Sequence, residues 1–133
     1  MGKTILAVLL GLLAGFVAIA GIEYLGHNIF PLPEEVDMTD MANVEMYLEN
    51  APIGAMLMVI VAHLLGGLAA VFTALKVGKT SWGAYIVSAL YFLATIANLF
   101  MIPHPTWFTV ADVVAILAAI VVVFKFTPQQ KAQ

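Results

Sequence analysis

The sequence predicts an all-α membrane protein, an antiparallel bundle of four transmembrane helices with a short extracytoplasmic surface helix in the first outer loop. Of the 133 residues, 63% are hydrophobic, and only five lysines and eight Asp or Glu residues are charged. The mean hydropathy is +1.05, whereas a soluble domain keeps about a quarter of its residues charged. The length allows one domain, residues 1–133.

Four apolar segments are long enough to cross roughly 30 Å of hydrocarbon. They cover residues 4–28, 52–75, 82–102 and 106–126, and the first outer loop covers residues 29–51. Helices are expected because lipid offers no hydrogen bonds to the backbone. The first segment imitates a signal peptide, with Lys3 before it and the small-residue pattern Ala18-Ile19-Ala20 near its end. We expect it to stay as a span, because its removal would leave three spans with termini on opposite sides.

The lysines indicate the orientation of these spans. All five fall on one side of a four-span chain, namely Lys3, Lys76, Lys79, Lys125 and Lys131. By the positive-inside rule, both termini are predicted to be cytoplasmic. The outer loop holds Glu34, Glu35, Asp37, Asp40, Glu45 and Glu49.

The outer loop is predicted to contain a short helix over residues 38–49, with Asp37 as its N-cap. Its apolar positions repeat at helical spacing, at Met41, Val44 and Leu48. A helix this short is marginal alone, so it either covers the outer mouth of the bundle as a lid or lies in the lipid interface. As a lid it would bring Glu45 and Glu49 toward protonated His27 or His104.

Small residues at four-residue spacing predict which helices touch, because they let backbones approach closely in lipid. The first span carries Ala7, Gly11 and Gly15, and the second carries Ala62, Gly66, Ala70 and Ala74. We therefore expect these two spans to be in close contact. If the first pattern is extended in steps of four residues, it reaches Glu23 and His27. We therefore expect both side chains to face the bundle interior.

Six polar side chains in the outer half form the candidate ligand-binding set: Glu23, His27, His63, Asn98, His104 and Asp112. His63 is the deepest, about 16 Å below the outer boundary at a rise of 1.5 Å per residue. Ionisable groups inside a membrane are costly and therefore candidates for function. They also tie helices together through hydrogen bonds, and the sequence leaves both roles open.

A metal site is the weaker alternative. Glu23 and His27 share a helix face, and His63 and Asp112 would complete a set suited to zinc, iron or manganese. The spacing matches no full metal motif, so we predict no cofactor and identify no catalytic residue. The outer-loop methionines could attract Cu(I), although methionine is a common filler; they are Met38, Met41 and Met46. The chain has no Cys to supply a thiolate.

Two segments resemble those of small four-span bacterial membrane proteins of unknown function. They are Glu23-x-x-Gly26-His27-x-x-Phe30-Pro31-x-Pro33 and the stretch from Ala94 to Phe108 with its Pro103-His104-Pro105-x-Trp107-Phe108 turn. The resemblance implies a multi-pass protein of the bacterial inner (plasma) membrane. It implies no activity, ligand or residue role.

These observations favour a non-enzymatic integral membrane protein, either a small-ligand or ion-binding bundle or an accessory subunit, with a polar pocket open to the periplasm. The expected partners are the lipid bilayer and a membrane protein or a second copy; no nucleic acid is expected, because the chain lacks a basic patch. One alternative is a membrane metal-dependent or redox enzyme using Glu23, His27, His63 and Asp112. The other is a homo-oligomeric transporter or proton conductor, which the lack of ionisable residues in the cytoplasmic half disfavours.

Overall fold

The computed structural model describes residues 1–78 and 80–127, and this part of the chain is helical, without strands. The five helices are α1 (Gly2–Ile29), α2 (Met41–Asn50), α3 (Ile53–Val77), α4 (Trp82–Met101) and α5 (Thr106–Phe126). All except α2 are long and apolar enough to cross a membrane. The predicted all-α class and four-span architecture are confirmed, and these helices support a multi-pass membrane protein.

Prolines set several helix boundaries. Pro52 and Pro105 immediately precede α3 and α5, where a missing N–H removes no helical hydrogen bond. At the end of α4, the N–H of Ile102 donates to the carbonyl oxygen of Asn98 at 3.0 Å, and Pro103 follows. A proline at this position cannot continue the helix, so α4 and α5 form an antiparallel hairpin.

Helix α2 begins later than predicted, because its N-cap is Asp40 and not Asp37. The Oδ1 atom of Asp40 accepts a hydrogen bond from the N–H of Ala42 at 3.0 Å. Asp37 instead accepts from the N–H of Thr39 at 2.8 Å and from its hydroxyl at 2.7 Å. These bonds hold the pKa of Asp37 below its ordinary value. Both aspartates suit a cap, but Asp37 closes a local turn before the helix starts.

The Asp40→Ala variant is expected to destabilise α2 by about 1 kcal/mol, because the first helical N–H groups lose their acceptor. Faster hydrogen exchange at the α2 amides would show this loss. Asp37→Ala is the matched control, and it should leave exchange beyond the turn unchanged. Equal effects of both variants would mean that Asp40 is not the cap.

Helix α3 is the centre of the bundle. It contacts α1, α4 and α5, and its interface with α1 is the most extensive. Helix α1 also contacts α4, whereas within the described residues α1 and α5 do not meet. The side chains of α1 and α5 therefore approach the interior from opposite sides of α3.

The α1–α3 interface consists of small residues, as predicted. A side-chain carbon built on Gly11 would lie 2.8 Å from the carbonyl oxygen of Ala70, and one on Gly15 would lie 2.9 Å from Cβ of Ala70. Gly11 and Gly15 are buried, and Ala7 and Ala70 have no exposed surface. The two backbones are thus in direct contact, which the glycines make possible.

The two ends of the bundle differ in character. At the end that we call the lysine end, α3 and α5 finish, with Lys76 and Lys125 in their last turns. At the loop end, where α3 and α5 begin, an outer apolar cluster is formed by Met56, Ile60 and Phe108. This cluster lies on the loop-end side of the polar residues described next.

Candidate functional site

A buried histidine–aspartate pair joins α3 to α5. Nδ1 of His63 is 2.9 Å from both Oδ1 and Oδ2 of Asp112. Asp112 has no exposed surface, and His63 is 8% exposed. Two of the six predicted site residues, His63 and Asp112, are therefore brought together in the bundle interior. His63 is the one that the sequence placed deepest in the membrane.

The pair leaves one ring nitrogen available. With Nδ1–H donating to the Asp112 carboxylate, the neutral imidazole carries its lone pair on Nε2. In residues 1–78 and 80–127, Nε2 of His63 has no hydrogen-bond partner. A carboxylate behind an imidazole fixes its tautomer and orientation, as it does behind metal-bound histidines. The pair can thus accept a proton or hold a small ligand at Nε2.

Tyr91 supports this site and was missed by the sequence reasoning. Its hydroxyl donates to the backbone carbonyl oxygen of His63 at 2.9 Å, and the side chain is buried. It lies directly over Gly66, where any side-chain carbon would collide with the hydroxyl oxygen. The signal was present in α4, because Ala84, Ser88, Tyr91 and Thr95 share one helical face.

His104 lies at the loop end, where it forms no hydrogen bond with the buried pair but is close enough for Asp112 and His63 to act on its charge. Its Nδ1–H donates to the carbonyl oxygen of Ile102 at 2.6 Å, and its ring stacks on Phe108 with centroids 4.6 Å apart. Burial lowers the pKa of His104 below its ordinary value and outweighs the opposing hydrogen bond to Ile102. Glu45 and Glu49 of α2 line a small cavity beside this ring.

The low pKa of His104 makes the loop end sensitive to acid. The folded chain favours the neutral ring of His104, because its pKa is lower there than in the unfolded chain. The stabilisation from this ring is complete above the unfolded pKa of about 6.5, and it is lost as the pH falls toward the lower pKa of the folded chain. We expect stability to fall between about pH 7 and 5, measured by thermal unfolding. The His104→Gln variant should show a flatter profile, and an equal slope in both proteins would contradict the assignment.

Helix α2 lies over the loop end of the bundle. Val44 is 1% exposed, and Leu48 packs against the outer apolar cluster. This placement favours the lid over the interfacial helix, although Met41 of the predicted stripe is exposed. A protonated His104 does not attract α2 to this position, because burial disfavours the positive charge on the His104 ring. Apolar contact is what holds α2 there.

Glu23, His27 and Asn98 do not join the buried pair. His27 is exposed and its Nδ1–H donates to the backbone carbonyl oxygen of Glu23 at 2.9 Å, while Glu23 and Asn98 are half-buried. The extension of the stripe by fours was wrong for His27. Each step of four residues rotates about 40° around a helix of 3.6 residues per turn, so the buried face reaches Gly26 instead.

The predicted four-residue metal set is not assembled. Within the described residues, no three His, Asp or Glu side chains are close enough to hold a metal ion. Glu23 and His27 are on α1, and α1 does not reach α5 with its Asp112. Of the set, only His63 and Asp112 meet. The loop methionines Met38, Met41 and Met46 are exposed.

The polar residues also do not form one continuous pocket. Met56 and Ile60 precede His63 on α3, and Phe108 precedes Asp112 on α5, so the outer apolar cluster separates the pair from the loop end. Access from that side requires α2 and this cluster to move. No family model, curated protein or solved structure matches this chain.

Proposed function

We propose that this chain is a non-enzymatic membrane protein that binds a small ligand or ion at Nε2 of His63. The observation that carries the proposal is the buried His63–Asp112 pair, whose second ring nitrogen has no partner in the described part of the chain. A histidine that only ties two helices needs one hydrogen bond. Among the described residues no fully covered side-chain nitrogen or oxygen lacks a partner, so Nε2 keeps some uncovered surface through which a small occupant can reach it.

Size supports a binding role over catalysis. Four helices of this length leave little room for a substrate cavity beside the pair. The polar cavity at the loop end is small and is lined by α2 and the α4–α5 turn, with the outer apolar cluster between it and His63. A ligand at Nε2 would therefore be an ion or a molecule of a few atoms.

Native mass spectrometry and elemental analysis of the purified chain test this proposal. We expect a bound species in the wild type that is lost in His63→Phe. Ser88→Ala is the matched control, because it removes a buried side-chain hydrogen bond within α4 and leaves His63, Asp112 and Tyr91 unchanged. Stoichiometric zinc, iron or manganese would move the assignment toward a metal-dependent enzyme, whereas co-purification of a second membrane protein would support an accessory subunit.

The tautomer of His63 provides an independent test. With Nδ1–H bound to Asp112, ¹⁵N NMR of histidine-labelled protein should show His63 protonated at Nδ1 and not at Nε2. Asp112→Asn should change this signal, because an amide does not favour Nδ1–H as a carboxylate does. A ring protonated only at Nε2 in the wild type, together with no bound species, would overturn the proposal.

We further propose that the chain lies in the bacterial inner membrane, with cytoplasmic termini and the loop end in the periplasm. Lys3, Lys76 and Lys125 support this, since all three are at one end of the bundle; Lys79 and Lys131 lie outside the described residues. The chain has no Cys, so single-cysteine variants report topology. A membrane-impermeant maleimide should label Thr39→Cys in spheroplasts and Thr80→Cys only after lysis; the reverse would invert the orientation.

A further inference from the structure

An apolar groove runs between α3 and α5 on the surface near the lysine end. Helix α3 contributes Leu65, Ala69 and Phe72, and α5 contributes Val122 and Phe126, with Thr127 directly after it. The groove has a volume of about 450 Å³, which is within the range of ligand pockets. Ala69 is the smallest of the lining residues, and all of them except Thr127 are apolar, so the groove can take an extended apolar chain.

Two lysine side chains mark the end of this groove. Nζ of Lys76 lies 5.4 Å from the ring centroid of Phe72, and Nζ of Lys125 lies 5.5 Å from that of Phe126. Both rings line the groove. The two positive charges are therefore held next to the end of the apolar surface.

These lysines lack an acidic side chain nearby. All eight carboxylate side chains of the sequence lie at positions 23–49 or at Asp112, toward the loop end. In the described residues, the contact between His63 and Asp112 is the one contact between a basic and an acidic side chain within 4.0 Å. An anion from outside the chain would complement Lys76 and Lys125.

We propose that the groove binds one anionic phospholipid, with an acyl chain between α3 and α5 and the phosphate group at Lys76 and Lys125. Basic residues at helix ends on one side of a membrane recognise anionic headgroups in this way. A second copy of the chain fits the groove less well, because a two-fold contact there would bring the same lysines of both copies together. Thr127 is largely buried at the end of the groove, at the position where a headgroup would meet the protein.

Lipid titration of the purified full chain, followed by native mass spectrometry, tests the site. The probes are dioleoyl phosphatidylglycerol and dioleoyl phosphatidylcholine. We expect one phosphatidylglycerol to bind about twentyfold more tightly than phosphatidylcholine, and Lys76→Gln or Lys125→Gln to reduce this preference about fivefold each, as expected for one lysine near an anionic surface. Lys3→Gln is the matched control, since it removes a lysine on α1 away from the groove.

A groove-filling variant tests the acyl-chain contact separately. Ala69→Leu should weaken binding of both lipids, whereas Ala20→Leu, on the exposed surface of α1, should not. A thermal unfolding transition for each variant will show whether it folds. If Ala69→Leu does not fold, the lysine variants still decide the test. Equal binding of both lipids by the wild type, or an equal loss in Lys3→Gln, would overturn the proposal. A dimer that binds no lipid and is disrupted by Ala69→Leu would assign the groove to a second copy.

Discussion

The His63→Leu variant is expected to lose about 3 to 5 kcal/mol of unfolding free energy. It leaves the Asp112 carboxylate without the imidazole that binds both of its oxygens, at a position with no exposed surface. A buried ion without its partner keeps the full cost of desolvation. Denaturant titration in mixed micelles, followed by circular dichroism, measures this loss.

The reverse substitution should cost less. Asp112→Leu leaves a neutral imidazole with one unpaired N–H, at about 1 to 3 kcal/mol. The double variant His63→Leu/Asp112→Leu removes both polar groups and should be more stable than His63→Leu alone. Such non-additivity is the signature of a direct pair. Additive losses, with the double variant the least stable, would show that the two side chains do not act together.

The Gly11→Val variant is expected to destabilise the chain by about 3 kcal/mol. Its first side-chain carbon would lie 2.8 Å from the carbonyl oxygen of Ala70 and 3.1 Å from Cβ of Ala74. Because the nearest obstacle is backbone, relief requires α1 to move away from α3, and overpacking of this kind costs about 1 to 3 kcal/mol or more. Thermal unfolding in detergent, monitored by circular dichroism, measures the effect.

Gly21→Val on the same helix is the matched control. A side-chain carbon at Gly21 meets no atom within 4 Å, so this variant carries the same change in helix propensity without the collision. It should unfold close to the wild type, within roughly the 1 kcal/mol by which helix propensities differ. Equal destabilisation by both variants would show that propensity, and not the α1–α3 contact, determines the cost.

The fold was readable from the sequence because each span carries its own signal. Apolar length determines the spans, and prolines such as Pro52 and Pro105 determine where helices start. The α1–α3 contact followed from glycine and alanine spacing, confirmed by the approach of Gly11 to Ala70. These signals are local, or they involve one face of one helix, and no tertiary information is needed to interpret them.

The site was readable only in part. His63 and Asp112 were correctly expected to face inward, but their pairing depends on how α3 and α5 are rotated against each other. His27 was misplaced because small rotations accumulate along a helix of 28 residues. Asp40 and Asp37 offer the same cap chemistry, so only the local backbone distinguishes them. Tyr91 was missed because its hydrogen-bond partner is a backbone carbonyl of α3, and that contact depends on how α4 packs against α3.

The central position of α3 also orders events during synthesis. Chains enter the membrane from the N-terminus, so α1 and α3 can meet through Gly11 and Ala70 while α5 is still on the ribosome. His63 is then already in the bilayer without a carboxylate. Asp112 arrives with α5, and its contact with His63 can form only once α5 is inserted. A chain truncated after α4 would therefore keep the His63 imidazole in the bilayer without the carboxylate that binds its Nδ1.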